Sequence, residues 1–135
     1  NILISEHHMD IRTLYEAILA AFRVDITFVD NADEAKRRTA RETFDLLFLE
    51  IDNNDALNEV DSVVEHQPDC PVLLVSSVPA SQSSVDYIHS QPNRALFMKP
   101  FDITRLREKV MQCLSEKKEK SMERSSTAPS LPVAV

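Results

Sequence analysis

Two charged residues stand at the ends of apolar runs of buried-strand length. Phe44-Asp45-Leu46-Leu47-Phe48-Leu49 delivers Glu50, and Ala95-Leu96-Phe97-Met98 delivers Lys99. In an open parallel sheet, ligands bind outside the carboxyl ends of the strands. A carboxylate and an ammonium brought to two such ends therefore suggest a site. A third apolar run, Ile2-Leu3-Ile4, leads into Ser5-Glu6-His7-His8. With Glu6, Glu50 and Asp52 nearby, His7 has the chemistry to ligate Zn²⁺ or another transition metal. Adjacent histidines point differently in an extended loop, so His7 and His8 are not expected to face one site.

These residues need a scaffold, and the hydrophobic pattern supplies one. After the first run, Ile11, Leu14, Ile18 and Phe22, flanked by Ala17 and Ala21, recur at helical spacing. Val24, Ile26 and Phe28 alternate with Asp25 and Thr27, which predicts a strand with one wetter face. Asn31 followed by Glu34 is a capping-box pattern, opening a helix from Ala32 to about Thr43 with a face that is mostly alanine. The strand 45–49 follows. Leu57, Val60, Val63 and Val64 mark a third helix that stops near Pro68. Pro71-Val72-Leu73-Leu74-Val75 predicts a buried strand, and 81–91 a helix with a thin apolar face of Val85 and Ile88. The strand 95–98 comes next. Asp102 caps a last helix carrying Ile103, Leu106, Val110, Cys113 and Leu114 on one face. Five alternations of strand and helix imply a parallel sheet covered on both sides.

Composition narrows the function classes. A chain of 135 residues, 43% hydrophobic and 27% charged, fits one globular domain with a short appendage. The net charge of −7 argues against a nucleic-acid surface. The tail after Ser115 carries four basic and three acidic residues, so the acidity belongs to the body. Cys70 and Cys113 make no disulfide framework and no metal spacing, and read as reduced thiols in a cytoplasmic protein. No apolar stretch is long enough to span a bilayer. The chain starts at Asn1 directly in a strand pattern, as expected of a piece of a longer protein or of one numbered without its start. Glycine is absent, so positive-φ positions fall to Asn or Asp, with 53–55 and Asn93 the candidates.

In order and interval, these segments resemble the receiver domain of bacterial two-component response regulators. The resemblance covers 1–115 and rests on Ile2-Leu3-Ile4-Ser5-Glu6-His7, Asp45-Leu46-Leu47-Phe48-Leu49-Glu50, Pro71-Val72-Leu73-Leu74-Val75-Ser76 and Ala95-Leu96-Phe97-Met98-Lys99-Pro100-Phe101. It implies a flavodoxin-like α/β fold, a doubly wound five-stranded parallel sheet of order 2-1-3-4-5. It also implies roles. Glu6 and His7 stand where the family has two adjacent acids that hold Mg²⁺, and Glu50 where it has the phosphoacceptor aspartate. Ser76 stands for the hydroxyl and Lys99 for the lysine that contact the phosphoryl group. Leu96 occupies the position of an aromatic switch residue. A cis bond joining Lys99 to Pro100 is implied as well.

The departures matter chemically. Mg²⁺ demands oxygen ligands in tight octahedral geometry, and His7 removes one oxygen and one charge. Glu50 is a methylene longer than aspartate, and a displacement of about 1 Å can cost about 10²-fold in a positioned reaction. The expectation is a pseudo-receiver with no enzymatic activity and no cofactor, weak or absent in Mg²⁺ binding, and not phosphorylated. A Glu50–Lys99 contact would stand in for the phosphoryl–lysine pair. Leu96 predicts no aromatic switch. Its partners would be proteins, either a histidine kinase or an output domain, with a homodimer through the last two helices and last strand also open. No membrane or direct nucleic-acid partner is expected. Residues 116–135 would be a charged helix extension and a Ser/Pro-rich linker. The rival readings are a working receiver phosphorylated on Glu50, Asp52 or Asp55, a metal or small-ligand sensor in the same cleft, and a bare dimerisation module.

Overall fold

Sheet order follows from which strands share hydrogen bonds. In a computed structural model of the chain, which describes residues 1–51, 56–76, 82–91, 93–99 and 102–116, five strands pair in parallel in the order β2-β1-β3-β4-β5. They are β1 (Ile2–Ser5), β2 (Ile26–Val29), β3 (Leu46–Ile51), β4 (Val72–Ser76) and β5 (Arg94–Met98). Between them run α1 (Met9–Leu19), continued by a 3-10 turn (Ala20–Phe22), then α2 (Ala32–Thr39), α3 (Ala56–Val64) and α4 (Gln82–Ser90). A last helix, α5, spans 103–116. The flavodoxin-like order expected from the sequence is the observed one.

Period-two alternation divides the core between the two faces of the sheet. Leu3, Leu47, Leu49, Val72 and Leu74 pack on one face with Ala35 of α2, Val60, Val63 and Val64 of α3 and Ile88 of α4. Ile2, Ile4, Leu46, Phe48, Leu73 and Val75 pack on the other with Tyr15, Ile18 and Leu19 of α1 and Leu106, Val110 and Cys113 of α5. β1, β3 and β4 are buried on both sides, which is why they read as continuous apolar runs. Among the described residues, each helix contributes one stripe to one of the two cores.

Four expectations need correction. α1 buries Tyr15, Ile18 and Leu19, whereas Leu14 is 40% exposed and Ala17 and Ala21 face solvent. The helix turns its Ile11–Tyr15–Ile18 line inward because Tyr15 stacks edge-on against Phe48, with ring centroids 5.4 Å apart. α2 stops at Thr39 and does not reach Thr43. There the Thr39 hydroxyl donates to the carbonyls of Lys36 and Val63, and Gln67 captures the following chain, donating to the carbonyls of Thr39 and Glu42. The Glu34 carboxylate accepts from the backbone of Asp30, one residue before the Asn31 cap, while Asn31 caps the amide of Glu34 at 2.9 Å. Positive φ occurs at Asn93, as read from the sequence, and also at Arg23 (φ 53), a position not foreseen. Asn53, Asn54 and Asp55, the other candidates for positive φ, lie outside the described residues.

Candidate functional site

The sheet's register brings three charges to one end. β1 pairs Ile4 with Phe48, so two residues on, Glu6 is level with Glu50. Glu6, Glu50 and Lys99 each follow by two a residue of the α1–α5 core, namely Ile4, Phe48 and Phe97. Alternation therefore carries all three side chains to the same face. Glu50 is the penultimate residue of β3, inside the strand and not beyond its end.

Lys99 lies between the two carboxylates. Its Nζ stands 3.1 Å from Glu6 Oε2 and 3.2 Å from Glu50 Oε1. The lysine backbone is fixed as well, its amide donating to the Ser76 carbonyl at 2.7 Å. Burial differs sharply across the triad: Glu6 is 1% exposed, Glu50 14% and Lys99 21%. Burial pushes the Glu6 carboxyl up, but hydrogen bonds from the His8 ring, the His8 amide and Lys99 outweigh it and hold the pKa below the ordinary value. Burial pulls the Lys99 ammonium down, yet its bonds to Glu6 and Glu50 leave its pKa above the ordinary value. Beneath them, burial and the neighbouring Glu6 and Glu50 carboxylates raise the Tyr15 phenol well above its usual range.

The loop after β1 departs from its expected geometry. His8 Nδ1 lies 2.9 Å from Glu6 Oε1, and the His8 amide donates to the same oxygen at 3.1 Å. The His7 and His8 rings lie 3.8 Å apart, and their nitrogens and the Glu6 carboxylate lie within 4.8 Å of one another. Adjacent histidines do converge here: His8 is the N-cap of α1 with an extended backbone, and its amide and ring both reach back to the Glu6 carboxylate. His7 also lines a cavity of about 130 Å³ with Ser5, Asp30, Glu50 and Glu59.

The remaining positions fall as follows. Ser76 ends β4, is buried, and pairs with Ile51 and Met98 in register. By alternation its side chain follows Leu74 onto the face opposite Glu50. Leu96 is half-buried against the α2–α4 core. Asp52, Asp55, Pro100 and the Lys99–Pro100 bond lie outside the described residues, as does the tail beyond 116. Arg12 was not singled out by its sequence position. Its Nε donates to the Glu6 carbonyl, its Nη2 bonds Asp30 at 2.7 Å, and its guanidinium stacks over Phe28 at 5.2 Å. The available signal was its place one residue after Ile11 at the start of α1.

Mg²⁺ binds through oxygens and keeps several waters. Of the two positions after β1, only Glu6 offers oxygen, and its two atoms already accept from His8 and Lys99.

No protein-family model matches the chain. A response regulator protein PilR of Pseudomonas aeruginosa is 29% identical over 114 residues, covering 83% of this chain and 25% of that protein. A CheY-like receiver domain protein from Methanospirillum hungatei superposes with a TM-score of 0.74 at 21% identity, over 88% of this chain and 96% of the other. The chain has the receiver fold and resembles a response regulator in sequence. NtrX from Brucella abortus, solved in complex with ADP, contains a similar receiver, at TM-score 0.73 and 25% identity over 92% of this chain and 28% of that protein. The chain thus spans about a quarter of the length of the curated relative it matches. Among the described residues, no helix is long and apolar enough to cross a membrane.

Proposed function

We propose that this chain is a pseudo-receiver, signalling through protein contacts from one state held by an internal charge cluster and not set by phosphorylation. The observation that carries the reading is Lys99 lying 3.2 Å from Glu50 while also bonding buried Glu6. In a phosphorylated receiver the lysine would meet a phosphoryl group on the acceptor acid. Here the longer glutamate arm meets it directly, with an oxygen acceptor and a negative charge. Phosphoryl transfer to a carboxylate depends on positioning and on a cation that neutralises developing charge. A glutamate engaged with Lys99, beside a loop that offers imidazoles in place of a second acid, supplies neither well. Mg²⁺ binding is accordingly weak or absent, and the domain carries out no reaction of its own.

Its partners in this reading are proteins, a histidine kinase or an attached output domain, and the setting is cytoplasmic. The face built from α4, β5 and α5 suits a second copy or an output domain. It combines half-exposed Met98 and Leu96 with His89, Arg94, Arg105 and Lys109 around Asp102. Residues 116–135 would then lead from α5 toward that partner.

Incubation with acetyl phosphate and Mg²⁺, read by intact mass, tests the reading. The expected result is no added mass. A stoichiometric gain of one phosphoryl group that disappears in Glu50→Gln would instead establish a working receiver with glutamate as acceptor.

A further inference from the structure

Three nitrogen and oxygen donors converge beside the charge cluster, and the charge cluster does not account for all of them. We propose that Glu6, His7 and His8 form a binding site for a borderline transition-metal ion of the Zn²⁺ class, distinct in chemistry from a magnesium site.

The donors are the right kind. One carboxylate and two imidazoles match a three-ligand zinc site whose fourth position is left to water. Imidazole nitrogen disfavours hard Mg²⁺ and favours Zn²⁺, Cu²⁺ or Ni²⁺. The same exchange that removes one oxygen donor from the loop after β1 therefore supplies a donor for a softer ion.

The geometry is close to what such an ion needs. All three ligand atoms lie within 4.8 Å of one another. Bonds of about 2.1 Å set the edge of a zinc tetrahedron at about 3.4 Å. The His8 Nδ1 to Glu6 Oε1 edge, at 2.9 Å, opens slightly, and the wider edges close. The movement falls on the histidines, both of which are exposed. Glu6 stays where the sheet places it, since the His8 amide and Lys99 hold the carboxylate. One ligand is thus preorganised by the fold, and two adjust.

The surroundings favour a cation. His7 shares its cavity with Asp30, Glu50 and Glu59. Lys99 opposes one by sharing Glu6, but it has Glu50 as a second partner at 3.2 Å. A metal at Glu6 leaves Lys99 paired with Glu50, so the ion and the ammonium need not compete for one carboxylate.

The test is calorimetric titration of the whole chain with ZnSO₄ in a buffer that does not chelate, with circular dichroism to verify folding. One ion per chain is expected, and excess MgSO₄ should not displace it. His7→Ala and His8→Ala should each weaken binding by at least about tenfold, since even outer partners of a metal ligand cost that much. Both residues are exposed, so neither change threatens the fold. Glu6→Gln, which keeps an acceptor and removes the charge, should weaken it as well. His66→Ala and His89→Ala remove the other two histidines and should change nothing. No binding, binding that survives His7→Ala or His8→Ala, or displacement by Mg²⁺ would each overturn the proposal.

Discussion

The two rims of the sheet solve the same problem with different chemistry. At the N-terminal rim, the loops entering β3 and β4 are tied by neutral groups. The Gln67 amide accepts from the Phe44 amide at 2.9 Å and donates to the carbonyls of Thr39 and Glu42, while the Cys70 thiol donates to the Phe44 carbonyl at 3.3 Å. At the C-terminal rim, charges 49 and 93 residues apart in sequence meet on Lys99. Neutral bonds satisfy buried backbone at little cost in desolvation. A buried ion pair is no better than a hydrophobic one for stability, but breaking it is expensive. The N-terminal rim also carries charges, with Arg94 at the start of β5 meeting Asp61 at 2.9 Å, but these are simple pairs. What distinguishes the C-terminal rim is that two carboxylates there converge on one ammonium.

The largest expected effect separates the rims outright. Lys99→Met leaves Glu6 buried without its cation, and should destabilise the domain by about 3 kcal/mol, measured by urea unfolding. Adding Glu6→Gln to it should restore most of that loss, because the uncompensated charge is then gone. If the double variant is as unstable as the single, the two residues do not act as a pair. Gln67→Ala tests the other rim. It removes the bonds of Gln67 to the Phe44 amide and to the Thr39 and Glu42 carbonyls and should cost about 2 kcal/mol, while leaving the amide NMR shifts of Glu6 and Lys99 in place. Shifts that move at both rims would mean that the rims are coupled.

Acid and base should distinguish the rims next. The folded-state pKa of Glu6 lies below its ordinary 4.5, so its contribution is fully present above that pH and is lost as pH falls through the folded value. Lys99 lies above its ordinary 10.5, so its contribution is fully present below that pH and is lost as pH rises through the folded value. The urea midpoint should therefore fall on both flanks. In Lys99→Met the base flank from this residue vanishes, and the acid flank shrinks because Glu6 has lost one of its bonds. An acid flank unchanged by Lys99→Met would assign that flank to other carboxylates.

Much of this arrangement was legible in the residues, and the failures have physical causes. β1, β3 and β4 are buried on both faces, so their apolar runs announced both strand and sheet position. Glu50 and Lys99 stood out because nothing else in those runs is charged near the carboxyl end. Asn31 and Glu34 announced the start of α2, but its end did not show. Thr39 is stopped by Val63 and Gln67, partners more than twenty residues away that no local pattern contains. The inward face of α1 was misassigned because Leu14 and Tyr15 both fit a helical repeat with Ile11 and Ile18. Only the position of Phe48 on a neighbouring strand decides between them. The sequence does not lead one to expect His7 and His8 at one site, since the bonds that bring His8 onto Glu6 come from its place as the N-cap of α1 and not from the loop's composition.

The smallest expected effect on stability bears most on function. Glu50 is less buried than Glu6, and removing it leaves Lys99 bonded to Glu6 at 3.1 Å. No buried charge is stranded, so Glu50→Ala should cost about 1 kcal/mol or less. That contrast with Lys99→Met follows from the geometry: Lys99 is shared, Glu6 is buried, and Glu50 is the partner that can be withdrawn. If the Glu50–Lys99 contact holds the signalling state, Glu50→Ala should nevertheless change self-association or partner binding, read by light scattering and by titration with the partner kinase or output domain. Lys99 and β5 are continuous in the chain, so a lysine released from Glu50 has a direct route to the face bearing Met98 and Leu96. Leu96 itself has no hydroxyl to exchange partners, so Leu96→Ala should alter packing without reproducing the Glu50→Ala phenotype. Unfolding of Glu50→Ala would make Glu50 a structural residue. A variant unchanged in both stability and association would remove the fixed-signal reading and leave a scaffold whose charged rim serves only to bind its ion.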